Sequence, residues 1–291
     1  NFSRGHPAYL TAKFLHAAWV NSKALELAGI DAATPDPPGG SIQRDKNGQP
    51  TGILFESAAK QLVEKNIPAS SAAETITKIK AMLPKLWEVG LTGVHDFDDA
   101  ACWKALQAIH QEGSLFLRVC KGVPYNHFET FIEAGLCTGD GDDCLFLGAL
   151  KLFSDGALGP HTAAMLEPYE GTQETGALLQ GEDKFVEIGT HAVSNGFALA
   201  IHAIGDRANR VVLNAYERIR SFEQTYKLPH FKHRIEHVQI IDPEDLPRFK
   251  KLGVIASVQP IHAPSDMVMA GRFLGNRAGH AVTAAAPAAQ F

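Results

Sequence analysis

No apolar run in the 291 residues reaches the roughly 18 that would cross a bilayer, and no charged, apolar, small-residue opening marks a secretory signal, so no membrane partner is expected. Cysteine is sparse. The four residues Cys102, Cys120, Cys137 and Cys144 form neither a C-x-x-C pair nor a dense framework, which excludes a zinc finger and leads us to expect free thiols in a cytoplasmic setting. Positive charge is also short: 27 Lys and Arg against 32 Asp and Glu leave a net charge of -5, without the basic stripe that phosphates require. Nucleic acid is therefore not an expected partner. No G-x-G-x-x-G follows a strand, which removes the dinucleotide fingerprint, and no G-x-S-x-G or catalytic Cys signature supports a serine or cysteine hydrolase.

The chain contains a repeated grammar: an amphipathic helix, a glycine at its end, then a short β-rich run. Ile76, Ile79, Leu83 and Leu86 lead to Gly90 and the run Leu91 to Phe97, with Pro84 expected to kink the helix. Trp103, Leu106 and Ile109 lead to Gly113 and Leu115 to Cys120. Phe185, Ile188 and Ala192 lead to Gly196 and Phe197 to Ile201; Leu246, Phe249 and Leu252 lead to Gly253 and Val254 to Val258. Each glycine stands where a helix needs a left-handed C-cap. Leu145 to Phe153 and the segment around Ile235 add two more runs, about six in all. Apolar runs separated by helices imply a parallel sheet buried on both faces, hence an α/β fold.

Residues 1–70 read as a turn-rich cap or insertion. Pro35 to Gly40 form one turn cluster, and Asn47-Gly48 between Ser41–Arg44 and Gly52–Phe55 is a hairpin signal. Residues 71–277 would form the main α/β unit, and residues 278–291 an Ala-rich tail without strand pattern.

Three candidates for chemistry stand at expected strand ends, where α/β sites are built. Lys151 lies within an apolar strand, where burial lowers an ammonium pKa and favours a neutral, nucleophilic amine able to take up carbon dioxide as a carbamate. A lysine snorkelling to a surface carboxylate reads equally well on pattern alone. His202 follows the run ending at Ile201 and precedes a helix that Asp206 could cap; His237 ends the run around Ile235. Each alone suits a structural role, but two at equivalent positions of successive units, about 4.8 Å apart by strand spacing, point to a shared ion. Asp96 and Asp155 read first as helix caps and second as groups orienting a ligand. His16, His161 and His262 could line the mouth, and Glu236 could support His237; an ordinary loop role is the blander reading of each.

Collinear segments carry a family resemblance: His16 to Leu25, Thr34 to Gly40, Lys151-Leu152-Phe153-Ser154-Asp155-Gly156-Ala157-Leu158-Gly159, His202-Ala203-Ile204-Gly205-Asp206, Arg234-Ile235-Glu236-His237 and Ser257-Val258-Gln259-Pro260. From about His6 to Asp266 the chain resembles the amidohydrolase family 3 branch of the amidohydrolase superfamily, which includes N-substituted formamide deformylases. The resemblance implies a TIM-like (β/α) barrel, incomplete in this chain, with a small β-rich side segment. It implies a divalent metal centre, commonly zinc with one or two ions, held by Lys151 as a carboxylated bridging ligand with His202 and His237. It further implies His16, Asn21 and His262 as pocket residues, and Asp96 and His161, read from their own positions, join them as expected substrate contacts. The reaction it implies is hydrolysis of carbon–nitrogen bonds other than peptide bonds, on a small amide-like substrate, by metal-activated water.

The departures are specific. Relatives carry an H-x-H pair at the end of strand one and an Asp at the end of strand eight, and no H-x-H occurs here. The chain is thus expected to be a fragment holding strands two to seven, with the general base unassigned. His161 stands where the family often has Arg. The rival expectation is a catalytically inactive barrel remnant with a binding or structural role, whose open strand edges would favour association, homo-oligomers included.

Overall fold

The computed structural model describes residue 3, residues 5–12 and residues 16–280. Most of the expected Ala-rich tail lies outside the described residues; its first positions belong to a 3₁₀ segment, Gly275–His280. The chain divides into two compact units, one of Asn1–Ala69 with Gly159–Thr162, the other of Ser70–Leu158 with Ala163–Phe291.

The first unit is an antiparallel sheet with two helices. Strands β1 (Tyr9–Thr11), β2 (Ala17–Val20), β3 (Ser41–Arg44) and β4 (Pro50–Phe55) run in the order β1-β2-β4-β3, with α1 (Ser22–Ala28) after β2 and α2 (Glu56–Glu64) after β4. The Asn47-Gly48 turn joins β3 to β4, with Gly48 at φ 77°. Strand alternation gives one face to a core of Val20, Ile42 and Leu54 packed with Ala24, Ala59 and Val63 from the helices. The strands β1 and β2 escape a reading of hydrophobic period because each is only three or four residues long.

The second unit follows the helix–glycine–strand grammar. Its elements are α3 (Ala72–Glu88), β5 (Gly93–Asp96), α4 (Ala100–Gln111), β6 (Arg118–Pro124), α5 (Phe128–Glu133), β7 (Leu145–Phe153), α6 (Glu182–Ser194), β8 (Leu199–Ala203), α7 (Asp206–Thr225), β9 (Arg234–His237), α8 (Leu246–Leu252), β10 (Ile255–Ser257) and α9 (His262–Leu274). Helix α3 starts at a capping box between Ser71 and Glu74 and runs on through Pro84. Gly90, Gly113, Gly196 and Gly253 all have φ between 61° and 81°, the left-handed conformation that ends the preceding helix.

All six strands are parallel, ordered β10-β9-β8-β7-β6-β5. The sheet is curled. In a flat sheet β5 and β9 would lie about 19 Å apart, four strand spacings, yet an Arg234 guanidinium nitrogen stands 3.2 Å from His95 Nδ1. The convex face packs against helices: Val119, Leu147, Leu150, Leu152, Leu199, Ile201 and Ile235 join Ile109, Phe185, Val212, Tyr216 and Phe249 in one core.

Which side chains face the concave side depends on an irregularity between β6 and β7. Lys121 pairs with Leu147 but Val123 pairs with Leu150, so β7 advances three residues while β6 advances two. The extra residue inverts the alternation of β7. Leu145 and Leu147 before it, and Leu150 and Leu152 after it, all join the convex core, so Lys151 and Phe153 turn to the opposite face. Gly148 is required there, since a Cβ would lie 2.7 Å from Cys120 Sγ.

Candidate metal centre

Strands β7, β8 and β9 end side by side, and their register aligns Phe153 with His202 and His202 with Glu236. Lys151 is 8% exposed. Its Nζ donates to the Leu152 carbonyl at 2.9 Å and lies 3.5 Å from the Phe153 ring centroid and 5.6 Å from that of Phe97. Burial lowers its pKa to about 7; the Glu236 carboxylate opposes that shift and the Arg234 guanidinium adds to it. A large share of the amine is therefore neutral near pH 7.

His202 is buried. Its Nε2 donates to the Gly156 carbonyl at 2.8 Å and stands 3.4 Å from Asp155 Oδ1. Because a carbonyl can only accept, Nε2 carries the proton and the lone pair is on Nδ1. Asp155 is not a helix cap. Its carboxylate accepts the backbone N–H groups of Ala164, Ile204 and Gly205, which fixes the loops beside His202. Asp206 likewise is the first residue of α7 rather than its cap, Gly205 taking that place.

His237 ends β9, and it and Val238 have φ of 78° and 47°. Two successive non-glycine residues in the left-handed region cost about 1–3 kcal/mol each, strain of the kind that gathers at functional sites. His237 Nδ1 meets Gln259 Oε1 at 2.6 Å, and the Gln259 amide is oriented by donation from Nε2 to the Ser257 carbonyl. The proton of His237 is thus on Nδ1 and the lone pair on Nε2. The His202 and His237 rings are 4.7 Å apart, edge to face, with His262 5.5 Å beyond His237 and Phe153 5.3 Å from His202. Two imidazoles with set tautomers, beside a buried amine whose pKa is lowered to about 7, form a donor set suited to a divalent transition metal.

Of the eight residues expected at the site, the structure gathers Lys151, His202, His237 and His262. Asp96 takes a different course: it shares the convex face of β5 with Val94, pairs with the fully buried Lys121 at 2.7 Å and accepts from the Cys102 thiol. Nor does it cap α4, which Asp99 does. Asp96, Asp98 and Cys102 bring three potential ligand atoms within 4.8 Å, but the Asp96 carboxylate is already paired with the Lys121 ammonium, which also bonds the Asp98 backbone carbonyl. Burial pushes the Cys102 thiol up to about 12. His16, Asn21 and His161 belong to the other unit. His16 pairs with Glu56 at 2.9 Å, and Glu56 also accepts from Thr162, the neighbour of His161. Asn21 is the N-cap of α1, accepting from Ala24 and Ala8 and donating to the His6 carbonyl.

The Amidohydrolase family matches residues 1–289. The chain belongs to that family. Among curated relatives of this amidohydrolase-family chain, the amidohydrolase YtcJ of Bacillus subtilis is 33% identical over 268 residues, 89% of this chain and 49% of YtcJ. The N-substituted formamide deformylase of Arthrobacter pascens is 28% identical over 271 residues, 88% of this chain and 48% of the deformylase. The chain thus spans about half the length of the curated relatives it matches. Among solved structures, an uncharacterized metal-dependent hydrolase from Pyrococcus horikoshii superposes with a TM-score of 0.74 at 29% identity, covering 94% of this chain and 53% of that one. The bulge of β7 and the hold of Gln259 on His237 escape a reading of motifs, because they depend on partners distant in sequence.

Proposed function

We propose that this chain supplies six strands of a TIM-like barrel in a hydrolase that uses a divalent metal, zinc by its nitrogen and oxygen donors, to cleave non-peptide carbon–nitrogen bonds of the amide or formamide type. The observation that carries this reading is the imidazole pair of His202 and His237, 4.7 Å apart at the carboxyl ends of adjacent parallel strands. Family membership and the length of the relatives support it.

His202 would hold the metal through Nδ1 and His237 through Nε2, since the Gly156 carbonyl and Gln259 fix the protons on the opposite nitrogens. Lys151 would join as a carbamate: its neutral amine adds to carbon dioxide, one proton leaves, and a single negative charge is shared by two oxygens. When bound, such a metal supplies polarisation of the scissile carbonyl and activation of water at neutral pH. Phe153 and Phe97 wall the amine from solvent, and Asp155 holds the Gly156 loop against His202.

The test is metal analysis of the purified protein together with hydrolysis of a panel of N-substituted formamides, amides and esters. Stoichiometric metal, lost in His202→Ala, with turnover of the carbon–nitrogen substrates, is the expected result. Turnover that survives removal of both imidazoles would overturn the reading.

A further inference from the structure

Past the end of their ladder, β8 and β9 stay joined by a few bonds, and one buried side chain supplies part of them. Ala203 pairs with His237 at the last rung. Beyond it, the Val238 N–H donates to the Ala203 carbonyl at 3.1 Å and the Ile240 N–H to the Ile204 carbonyl at 2.9 Å. Asn209, in the first turn of α7, has 0% exposure. Its Nδ2 donates to the Gly205 carbonyl at 2.9 Å and the Ile240 carbonyl at 3.0 Å, with the Ala203 carbonyl at 3.4 Å. One amide group thus joins the turn after β8 to the turn after β9. Asp155 fixes the first of these turns from the other side, accepting the N–H groups of Ile204 and Gly205. Ile240 is caught on that anchored segment through both its N–H and its carbonyl.

The other half of the amide is unused. Among the described residues, Asn209 Oδ1 is buried without a hydrogen-bond partner, a burial cost with no bond to offset it. Asparagine therefore stands here for its N–H groups. What they hold is backbone that needs holding: on the way from β9 to Ile240 the chain passes through His237 at φ 78° and Val238 at φ 47°. Non-glycine residues persist in the left-handed region only where their surroundings fix them from several sides. The same turn carries the His237 ring, 4.7 Å from that of His202.

We propose that Asn209 is a positioning residue: its amide clasps Ile240 to the anchored turn after β8, and so holds the strained His237–Val238 backbone and the angle between the His202 and His237 rings before a metal binds. The proposal rests on the metal reading of the two imidazoles, and adds to it a residue outside the ligand set.

Metal affinity of the folded protein separates positioning from mere support. A residue that only stabilises the fold changes how much protein is folded and leaves the affinity of the folded molecule unchanged. Asn209→Ala leaves room for water to serve the freed carbonyls. In the whole protein, under conditions where circular dichroism finds it folded, this variant is expected to bind zinc about 10- to 100-fold more weakly than the wild type in competition with a chelator. Cobalt(II) in the same variant is expected to give visible d–d bands unlike those of the wild type, since the donor angles change. Ile219→Val, a buried change further along the same helix, is expected to lower the urea midpoint and leave zinc affinity and the cobalt bands as they were. Zinc held as tightly by Asn209→Ala as by the wild type, or weakened equally by Ile219→Val, would overturn the proposal. A measurement on the wild type stands beside the variants, in case Asn209→Ala does not fold. The Asn209 side-chain amide protons, followed by ¹H–¹⁵N spectra of the metal-free protein, are expected to be protected from exchange; protons exchanging like those of an exposed amide would also overturn it. A wild type that takes up no zinc while those protons are protected would instead overturn the metal reading, and the proposal with it.

Discussion

Strand β9 has a histidine at each end, and the two are used in opposite ways. His233, just before the strand, has 0% exposure and both ring nitrogens committed: Nδ1 accepts the backbone N–H of Leu199 and Nε2 bonds Glu223 at 3.0 Å. Glu223 in turn pairs with Arg220, which bonds the carbonyls of Leu252, Phe231 and Gly253, and the His233 ring stacks on Tyr216. That end of the sheet is stapled. His237, four residues on, has strained backbone, one nitrogen set by Gln259, and two further imidazoles for neighbours. The difference teaches that a histidine's role here follows from the end of the strand it occupies: amino ends serve stability, and carboxyl ends gather groups able to meet a ligand.

The sharpest way to break this contrast is to exchange the losses. His237→Gly is expected to abolish stoichiometric metal and turnover, at least about 10³-fold, while relief of the positive-φ strain keeps the unfolding free energy within about 1 kcal/mol of the wild type. Elemental analysis and urea denaturation check both halves. His233→Ala is expected to do the reverse, costing about 4 kcal/mol because it leaves Glu223 and the Leu199 N–H buried without their partner. A tight metal stoichiometry in whatever fraction remains folded would sharpen the comparison; equal damage to both properties in both variants would end it.

Acid should separate the two ends as well. Burial holds the His233 pKa below 6.5, so the unfolded chain binds a proton that the folded one refuses; the lowered carboxyl of Glu223 acts in the same direction below 4.5. Stability is therefore expected to fall as pH drops below about 6.5, in urea midpoints measured across that range, and the fall should shrink in His233→Asn. Lys151 gives a window on the alkaline side: with a folded pKa of about 7 against 10.5 for the free side chain, stability should rise with pH between those values. Lys151→Met should remove that rise and add about 2 kcal/mol at pH 7, while preventing carbamate formation. The smallest expected effect is that of Gln259→Ala, a loss of about 10- to 100-fold in metal affinity from a freed His237 ring, measured by competition with a chelator.

Much of the parallel unit was legible, because helix period and terminal glycines are local signals. Leu145 to Phe153 coincides with β7, and Gly90, Gly113, Gly196 and Gly253 have the expected backbone. The positions of Lys151, His202 and His237 at strand ends could be read for the same reason. The course of Asp96 could not, since facing direction on a four-residue strand depends on register with β6 and on the buried cation of Lys121. The clasp of Asn209 on Ile240 and the hold of Gln259 on His237 were also beyond reach: they join residues 31 and 22 positions apart.

The inserted residue in β7 has a consequence for how this sequence can change. Lysine reaches the concave side there by counting, one residue more than its neighbour strand, and no chemical preference of its own side chain takes it there. Were β7 to pair regularly while keeping all its residues, the amine would turn to the oily helical layer and Leu150 and Leu152 towards the imidazoles. Deleting Ala149 removes the bulge and the extra residue together, so the leucines keep the convex face and Lys151 the concave one. A substitution at 151 alters one functional group, whereas a single lost codon two positions upstream would straighten the strand and leave the polar cup facing the same way.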